Sequence, residues 1–403
     1  MAEIRVEDIR VRLREAQSAK ADYNIKAARL REIVAGVPRG KHTATDVEEA
    51  RVNYLLLNME LKTGAIIENY ARSRIRVQGD PRAPIVELWL NTQLKAESYY
   101  DMHQALKDRY IMGLGVIGVG VQPETDKLVW YRIDPLHYWW DFNSGVFAPR
   151  WVARQFRART GESYIEYWDS DTHIIFDGDL QPRLLEPNPI GMIPYIHLVG
   201  FSVPGIHYPV GDAELTYPQQ VLLQETRRAI LDHARRGAGM MLVDETKVPE
   251  EELYKLEEPG EPYIRVRDLN AIQPVPTPPI NPEWLQIETI AKSDLDAQSG
   301  ISEYLRGNMP IANNLQFATQ VLAALGAQNL RIRIDWAPVK DMLARLARAS
   351  IRWAHYNRYT AELGDILLSL GEVDPTGLQV SVDDDAANLV AEAGLAQAPD
   401  PRR

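Results

Sequence analysis

The sequence predicts an α+β protein in which a β-rich middle lies between two helical regions. Before about residue 112 and after residue 212, apolar residues recur at three- and four-residue spacing, which is the period of amphipathic helices. From Val116 to His207 they come instead in short aromatic and β-branched runs separated by turn residues, which is typical of antiparallel strands. The length of 403 residues and the apolar share of 45% are ordinary for a globular chain of about two to three domains.

The composition excludes several chemical classes of protein. There is no cysteine, so disulfides, thiol nucleophiles and cysteine-ligated metal sites are excluded. The 45 basic residues are outnumbered by 56 acidic ones, for a net charge of −11, whereas proteins that grip nucleic acid usually carry a basic excess. An acidic chain of this kind that does meet DNA is expected to guide it rather than to hold it. No apolar run reaches the roughly 18 residues of a membrane-spanning helix, so no contact with a membrane is expected.

The first half of the chain is predicted to contain three helices followed by the strands. Residues 1–44 form a charged helical segment. A second helix covers Thr45–Ile75, where Thr45 and Glu48 fit the spacing of a capping box. Pro84 begins a third helix that runs to about Met112, and the strand-rich region follows it.

The second half is predicted to begin with a long helix over Asp212–Arg236, which Gly237 and Gly239 end. Residues 240–281 form a compact excursion with two strand candidates, a short charged helix and a proline-rich connector. Beyond the excursion the predicted order is helix Glu283–Gly300, loop Ser302–Asn314, helix Leu315–Arg331 and helix Pro338–Ala361.

No motif in the sequence indicates a catalytic or cofactor site. Gly113, Gly115 and Gly118 match the dinucleotide-binding pattern G-x-G-x-x-G, but that pattern needs a strand before it and a helix after it. Because the predicted order here is the reverse, a helix-to-strand turn is favoured. The eight histidines show no metal-ligand spacing, and the acidic run Asp383–Asp385 is expected to be a solvated patch. We therefore expect no metal and no cofactor; the missing motifs lower the expectation of enzyme activity without excluding it, and it is the resemblance described below that implies a protein without an active site.

Two of the predicted helices carry opposite charge. One basic cluster lies near a single face of the helix Asp212–Arg236 and comprises Arg227, Arg228, Arg235 and Arg236. The helix after the excursion carries an acidic set, Glu283, Glu288, Asp294 and Asp296. An ordinary helical hairpin with solvated charges explains this arrangement, and so does packing of the two helices between subunits of an oligomer.

The chain resembles a known family, the portal proteins of tailed double-stranded DNA bacteriophages. Three stretches carry the resemblance. YIMGLGVIGVGVQ followed by LVWYRIDPLHYWWDF is similar to the portal pattern of a helix ending in glycines, a strand pair and an aspartate-proline before an aromatic strand. NPIGMIPYIHLVGF is similar to the segment before the first stem helix, and QFATQVLAALGAQNLRIR to the helix after the tunnel loop.

The resemblance implies a ring subunit with a helical and β wing, two stem helices, a small α/β clip, a tunnel loop and a short helical crown. Carried onto this sequence, the parts are an N-terminal helical segment 1–44, a wing 45–211, a first stem helix 212–239, a clip 240–281, a second stem helix 282–301, a tunnel loop 302–314, a wing or tunnel helix 315–337, and a crown with C-terminal tail 338–403.

The resemblance also implies a function. The chain would form a homo-oligomeric ring, expected to be a dodecamer, at one capsid vertex of a virion, as the conduit for double-stranded DNA during packaging and ejection. Its partners would be the terminase large subunit, the major capsid or scaffolding protein and a head-tail adaptor. The alternatives are a head or baseplate protein without a channel and, from the enzyme class, a carboxylate-dependent hydrolase.

Three sets of residues would serve the ring. The four acidic residues of the second stem helix, named above, would line the channel, because an acidic wall repels the duplex within about 8 Å. The four arginines would face those acids on an adjacent subunit. The tunnel loop would bring its bulky groups, Tyr304, Leu305, Met309 and Ile311, to the narrowest part of the channel, with Arg306 as its only positive charge.

Overall fold

The structure, a computed structural model, describes residues 6–36, 53–122, 127–141, 143–237, 241–243, 272–274, 282–300, 315–358, 360–363 and 366–383. Helices and antiparallel sheets are both present, so the fold class is α+β, as predicted. The described chain divides into two compact units: the larger takes the residues up to Tyr217 and those from Asp296 onward, and the smaller takes Pro218–Leu295.

Helices pack on the sheets of the larger unit. In chain order they are α1 (Val6–Val34), α2 (Tyr54–Arg72), α3 (Ala83–Trp89), α4 (Tyr99–Met112), α5 (Asp212–Gly237), α6 (Pro282–Ser299) and α7 (Leu315–Tyr356). A π-helical turn over Leu90–Lys95 follows α3, and it interrupts the single helix predicted from Pro84 to Met112. Each helix in the described ranges is too short or too polar to cross a membrane.

The strands form antiparallel sheets. They are β1 (Arg74–Gln78), β2 (Leu114–Gln122), β3 (Lys127–Ile133), β4 (Tyr138–Trp140), β5 (Trp151–Arg157), β6 (Ser163–Asp169), β7 (Thr172–Phe176), β8 (Pro182–Pro187), β9 (Tyr195–Val199), β10 (Met241–Val243), β11 (Ile272–Pro274), β12 (Thr360–Leu363), β13 (Ile366–Ser369) and β14 (Gln379–Asp383). A three-stranded sheet has the order β3-β2-β9 and a five-stranded sheet the order β4-β5-β6-β7-β8. The remaining strands pair as β1 with β14, β10 with β11 and β12 with β13.

The main core of the larger unit joins α2, α3 and α4 to the three-stranded sheet and to the second half of α7. Apolar side chains of α7 recur along one face and are buried in this core: Val339, Met342, Leu343, Leu346 and Ala347. Trp130 of β3 donates its indole N–H to Ser350 Oγ at 2.7 Å, which fixes the sheet to the same helix.

The prediction of a break before Pro338 is therefore wrong. Residues 315–356 form one helix with Pro338 inside it, and Val339 onward packs in the same core as the N-terminal helices. Burial of a continuous apolar face outweighs the hydrogen bond that the proline removes. The boundary predicted for the crown, residue 338, therefore lies inside a continuous helix, and the crown itself stays a prediction.

Other predicted boundaries also shift. The helix predicted to reach Ile75 ends at Arg72, because Arg74–Gln78 is a strand that pairs with Gln379–Asp383. Asp383, from the expected acidic patch, accepts a hydrogen bond from Arg76 at 2.8 Å in this pair of strands. The capping box at Thr45 lies outside the described residues, as do the charged helix and the second strand predicted within 240–281.

The glycines of the G-x-G-x-x-G stretch form a helix-to-strand turn, as predicted. Gly113 ends α4 with a left-handed φ of 78°, a conformation that favours glycine. Gly115 lies so close to α4 that a β-carbon there would be 2.2 Å from the Ala105 carbonyl oxygen. These glycines therefore allow close packing of α4 on β2.

Candidate subunit interface on two antiparallel helices

The two helices of opposite charge predicted from the sequence lie side by side in the smaller unit. Arg227 of α5 contacts Glu288 of α6, and the ring of His233 lies edge-on to Trp284 with centroids 5.7 Å apart. Because the contacts advance along α5 while they go back along α6, the helices are antiparallel. Leu223, Ala291 and Leu295 are buried, so each helix has one apolar inner face.

A small ionic cluster joins the helices. Arg227 donates from Nε and Nη2 to Oε1 of Glu288, at 2.9 and 2.7 Å. Lys292, one turn further along α6, lies 2.8 Å from the same oxygen. The hydrogen bond from Lys292 lowers the pKa of Glu288, partial burial opposes that effect, and Arg227 lowers the pKa further. Glu288 is therefore held in its ionised form by two cations.

This cluster gives two of the predicted residues a contact within the chain, and the roles expected for them in a ring stay predictions. Arg227 was expected to face an adjacent subunit, but its partner Glu288 belongs to the same chain. The side chain of Glu288 is 16% exposed and is shared by two cations, so only a small part of this carboxylate is open to solvent. The opposite charges of α5 and α6 thus stabilise, in part, the packing of the two helices within one chain.

The other sequence-predicted residues are placed as follows. Arg228, Glu283 and Asp294 are exposed, and Asp296 is half-buried. The helix α5 includes Arg235 and Arg236, whose side chains lie outside what the structure describes. The whole predicted tunnel loop, residues 302–314, also lies outside the described residues.

Sequence reasoning missed the apolar side chains on the outer faces of both helices. On α6, Ile287 and Ile290 are 38% and 58% exposed. Glu283 and Asp294 continue the same helical stripe, at spacings of four, three and four residues. The stripe therefore consists of two isoleucines between two carboxylates. The sequence did contain a signal for them: α6 has more apolar residues than one buried helix face can hold.

The outer face of α5 carries the opposite charge beside an apolar residue. Arg228 is exposed, and Leu231, three residues further on, is 37% exposed. We call the first stripe (Glu283, Ile287, Ile290, Asp294) the acidic face and the pair Arg228 and Leu231 the basic face. Exposed apolar residues rimmed by charge are typical of protein–protein contacts. This composition fits a contact between proteins better than the wall of a water-filled channel.

The larger unit has an acidic groove, which is where a carboxylate-dependent hydrolase site would have to lie. It encloses about 380 Å³ and includes Asp141, Asp169 and Asp171 in its wall. Asp141 pairs with Arg150 at 2.7 Å, and Asp169 accepts the backbone N–H groups of Asp171 and Thr172. These carboxylates stabilise turns and an ion pair, so the groove gives no support to the hydrolase alternative. Across the described ranges, no three His, Asp or Glu side chains are grouped closely enough to hold a metal ion.

Comparison with known proteins found likeness only among solved structures. No protein-family model matches the chain, and no curated protein matches it. The neck of an empty gene transfer agent (GTA) particle, computed with C6 symmetry, has 16% identity and a TM-score of 0.48, over 91% of this chain and 92% of that chain.

Two further structures come from native particles of the same kind. The neck of a native GTA particle, computed with C12 symmetry, has 15% identity and a TM-score of 0.44, over 85% of this chain and 89% of that one. The virion of a native GTA particle contains a chain with 13% identity and a TM-score of 0.42, over 92% of this chain and 96% of that one. Likeness at these values does not establish a shared function.

Proposed function

We propose that this chain is the subunit of a phage portal, a ring at one capsid vertex through which double-stranded DNA is packaged and ejected. The observation that carries the proposal is the pair of complementary faces on the antiparallel helices α5 and α6. A chain that presents two different, mutually complementary surfaces forms head-to-tail contacts, and such contacts close into a ring when the rotation between subunits permits.

In the proposed ring, the basic face of one subunit packs on the acidic face of the next. Arg228 meets Glu283 or Asp294, and Leu231 covers Ile287 and Ile290. Burial of the apolar groups contributes about 25 cal/mol per Å² of apolar surface. Each charge pair adds only about 0.2–1 kcal/mol, but the contact is repeated around the ring. Of the four arginines expected at the subunit contact, Arg228 keeps that role, and Arg227 packs its own chain.

The order of elements supports the portal among ring-forming proteins. Helices and antiparallel sheets precede α5, a short excursion with the β10–β11 pair separates α5 from α6, and the long helix α7 follows residues 302–314. This is the order of wing, stem, clip, stem, tunnel loop and helix that the sequence resemblance implies. We assign these parts as proposals, with residues from 338 to 383 joined to the wing.

The size, location and partners of the ring belong to the same proposal. The ring is proposed as a dodecamer in the virion, with the terminase large subunit, the capsid or scaffolding protein and a head-tail adaptor as partners. Residues 302–314 would line the narrowest part, where Arg306 is the only cation that could touch phosphate. The chain would guide DNA, in keeping with its net charge of −11.

Negative-stain images and the native mass of the purified protein test the proposal. We expect annular particles with a central hole, and we expect Ile290→Asp to convert them to smaller species, because it places a charge in the apolar part of the contact. Leu88→Asp is the matched control, since Leu88 is 52% exposed on α3 and lies outside both faces; its rings should persist. A monomer, or an oligomer without a hole, would rule the portal out, and the latter would favour a head or baseplate protein without a channel.

A further inference from the structure

The seventh residue of helix α5 is a proline, Pro218. Proline has no backbone N–H, so the carbonyl of Glu214 receives no hydrogen bond from the residue four positions on, and the proline ring crowds the preceding turn. Sharp bends in helices occur at such positions. Helix α5 is therefore expected to bend most easily at Pro218, between its first turns and the rest of the helix.

This position coincides with the division of the chain into two compact units. The chain leaves the larger unit after Tyr217 and enters the smaller unit at Pro218. The chain returns to the larger unit within α6, between Leu295 and Asp296. Gly300, directly after α6, has a φ of 73°, a region that glycine enters without strain. Each of the two chain connections between the units therefore has a proline or glycine in or near it, at which the backbone can change direction.

The residues before Pro218 are firmly held by the larger unit. Ala213 is fully buried in a core with α1, α2 and α4. Thr216 is 1% exposed, and its hydroxyl donates to the Asp212 carbonyl oxygen at 2.8 Å. Asp212 is 3% exposed and forms an ion pair with Lys62 of α2.

The ion pair at Asp212 belongs to a larger buried charge cluster. Lys62 also lies 3.0 Å from Asp335 of α7, and Arg109 of α4 contacts the other oxygen of Asp335 at 2.8 Å. Burial raises the pKa of Asp335, but Lys62 and Arg109 outweigh it and hold the pKa below its ordinary value. Since removal of one member would leave a buried charge without its partner, this cluster fixes the base of α5 against three helices.

We infer that α5 is a hinge at Pro218, about which the smaller unit swings while the charge cluster of Lys62, Asp212, Asp335 and Arg109 holds the base of the helix still. Two independent features meet there, a missing hydrogen bond and the division between compact units, next to residues 212–216, which are rigidly attached to the larger unit. Hinges are commonly a few residues that absorb a change in backbone angle between otherwise rigid bodies. The inference does not depend on the proposed ring.

Distance measurement between two spin labels tests the hinge. The chain has no cysteine, so Leu88→Cys in the larger unit and Gln286→Cys in the smaller one, both at exposed positions, give the only two labelled sites. Labelled chains are mixed with an excess of unlabelled protein, so that only distances within one chain are measured. We expect a broad distribution, and Pro218→Ala should narrow it and shift its mean, because alanine restores the hydrogen bond to Glu214.

The matched control is Pro338→Ala, which removes the proline inside α7. It lies within the larger unit, so the distribution should stay as in the parent. The same distribution in Pro218→Ala as in the parent would overturn the hinge, and so would an equal change in Pro338→Ala. Since alanine favours helix formation, loss of folding is not expected, and the thermal midpoint of each variant checks this.

Discussion

At the scale of single residues, His173 is the most informative titratable group of the larger unit. It lies on β7 between two carboxylates: Nε2 is 3.1 Å from Glu166 on β6, and Nδ1 is 2.7 Å from Glu186 on β8. Its ring stacks on Trp168 with centroids 3.7 Å apart. Both ring nitrogens can donate only when the imidazole is protonated. The geometry therefore favours the charged form.

The surrounding groups determine the direction of its pKa. Burial lowers the pKa of His173, but the hydrogen bonds to Glu166 and Glu186 outweigh burial and raise it above its ordinary value. Burial likewise raises the pKa of Glu166, and His173, Arg154 and Tyr195 together lower it to about 2. Glu166 therefore stays ionised in the folded protein at neutral and moderately acidic pH.

We predict that His173→Gln destabilises the protein in a pH-dependent way. Because the folded-state pKa is raised, the stabilisation is fully present below the unfolded pKa of about 6.5 and is lost as the pH rises through the folded value. The loss in free energy of unfolding should be about 1.5–3 kcal/mol near pH 5.5 and smaller near pH 9. Denaturant titrations at both pH values measure it. His137→Gln, at an exposed histidine, is the control; an equal loss at both pH values would contradict the prediction.

At the scale of elements, Asn53 links the ends of two helices. Its Oδ1 accepts the backbone N–H of Leu56 at 3.0 Å and so caps the N-terminus of α2. Its Nδ2 donates to the carbonyl of Val34, the last residue of α1, at 2.8 Å. One side chain thus satisfies a donor that starts one helix and an acceptor that ends another.

Two substitutions of Asn53 should separate these bonds. Asn53→Ala removes both and should lower the free energy of unfolding by about 1–2 kcal/mol, whereas Asn53→Asp keeps the cap and loses only the bond to Val34, for about 0.5–1.5 kcal/mol. Chemical denaturation of the two variants measures the difference. Equal losses would mean that the cap of α2 contributes nothing.

The local spacing of apolar residues predicted most helices and strands. It could not predict which strands pair across a long stretch of sequence. The helix α5 and strands β2, β3 and β9 lie close to their predicted places, because each has a clear apolar pattern of its own. The strand β1 pairs with β14 about 300 residues away, and no feature near Arg74 indicates that partner. The strand β14 was not predicted for the same reason, since a short strand of this kind is stable only when it pairs with a neighbour.

At the scale of the whole molecule, sequence reasoning found the charged helix pair but not the chain to which each partner belongs. Arg227 and Glu288 lie 61 residues apart in sequence, so charge alone fits a pairing within one chain or between two. The structure places this pair within the chain and leaves Ile287, Ile290 and Leu231 exposed. Which apolar side chains stay exposed depends on how the two helices pack together. The apolar pattern of one helix alone therefore does not predict it.

The last prediction separates contacts within a chain from contacts between chains. Because the protein has no cysteine, a short bismaleimide joins only introduced thiols. With Arg227→Cys and Glu288→Cys, whose parent side chains meet in one chain, we expect a single crosslinked band at the monomer position on a denaturing gel. With Leu231→Cys and Ile287→Cys, on the basic and the acidic face, we expect a ladder of covalent oligomers, because the proposed ring brings these faces together from neighbouring subunits. A ladder from the first pair would place Arg227 against another subunit after all. Monomer alone from the second pair would show that the two faces do not meet, and the ring contact would then lie elsewhere.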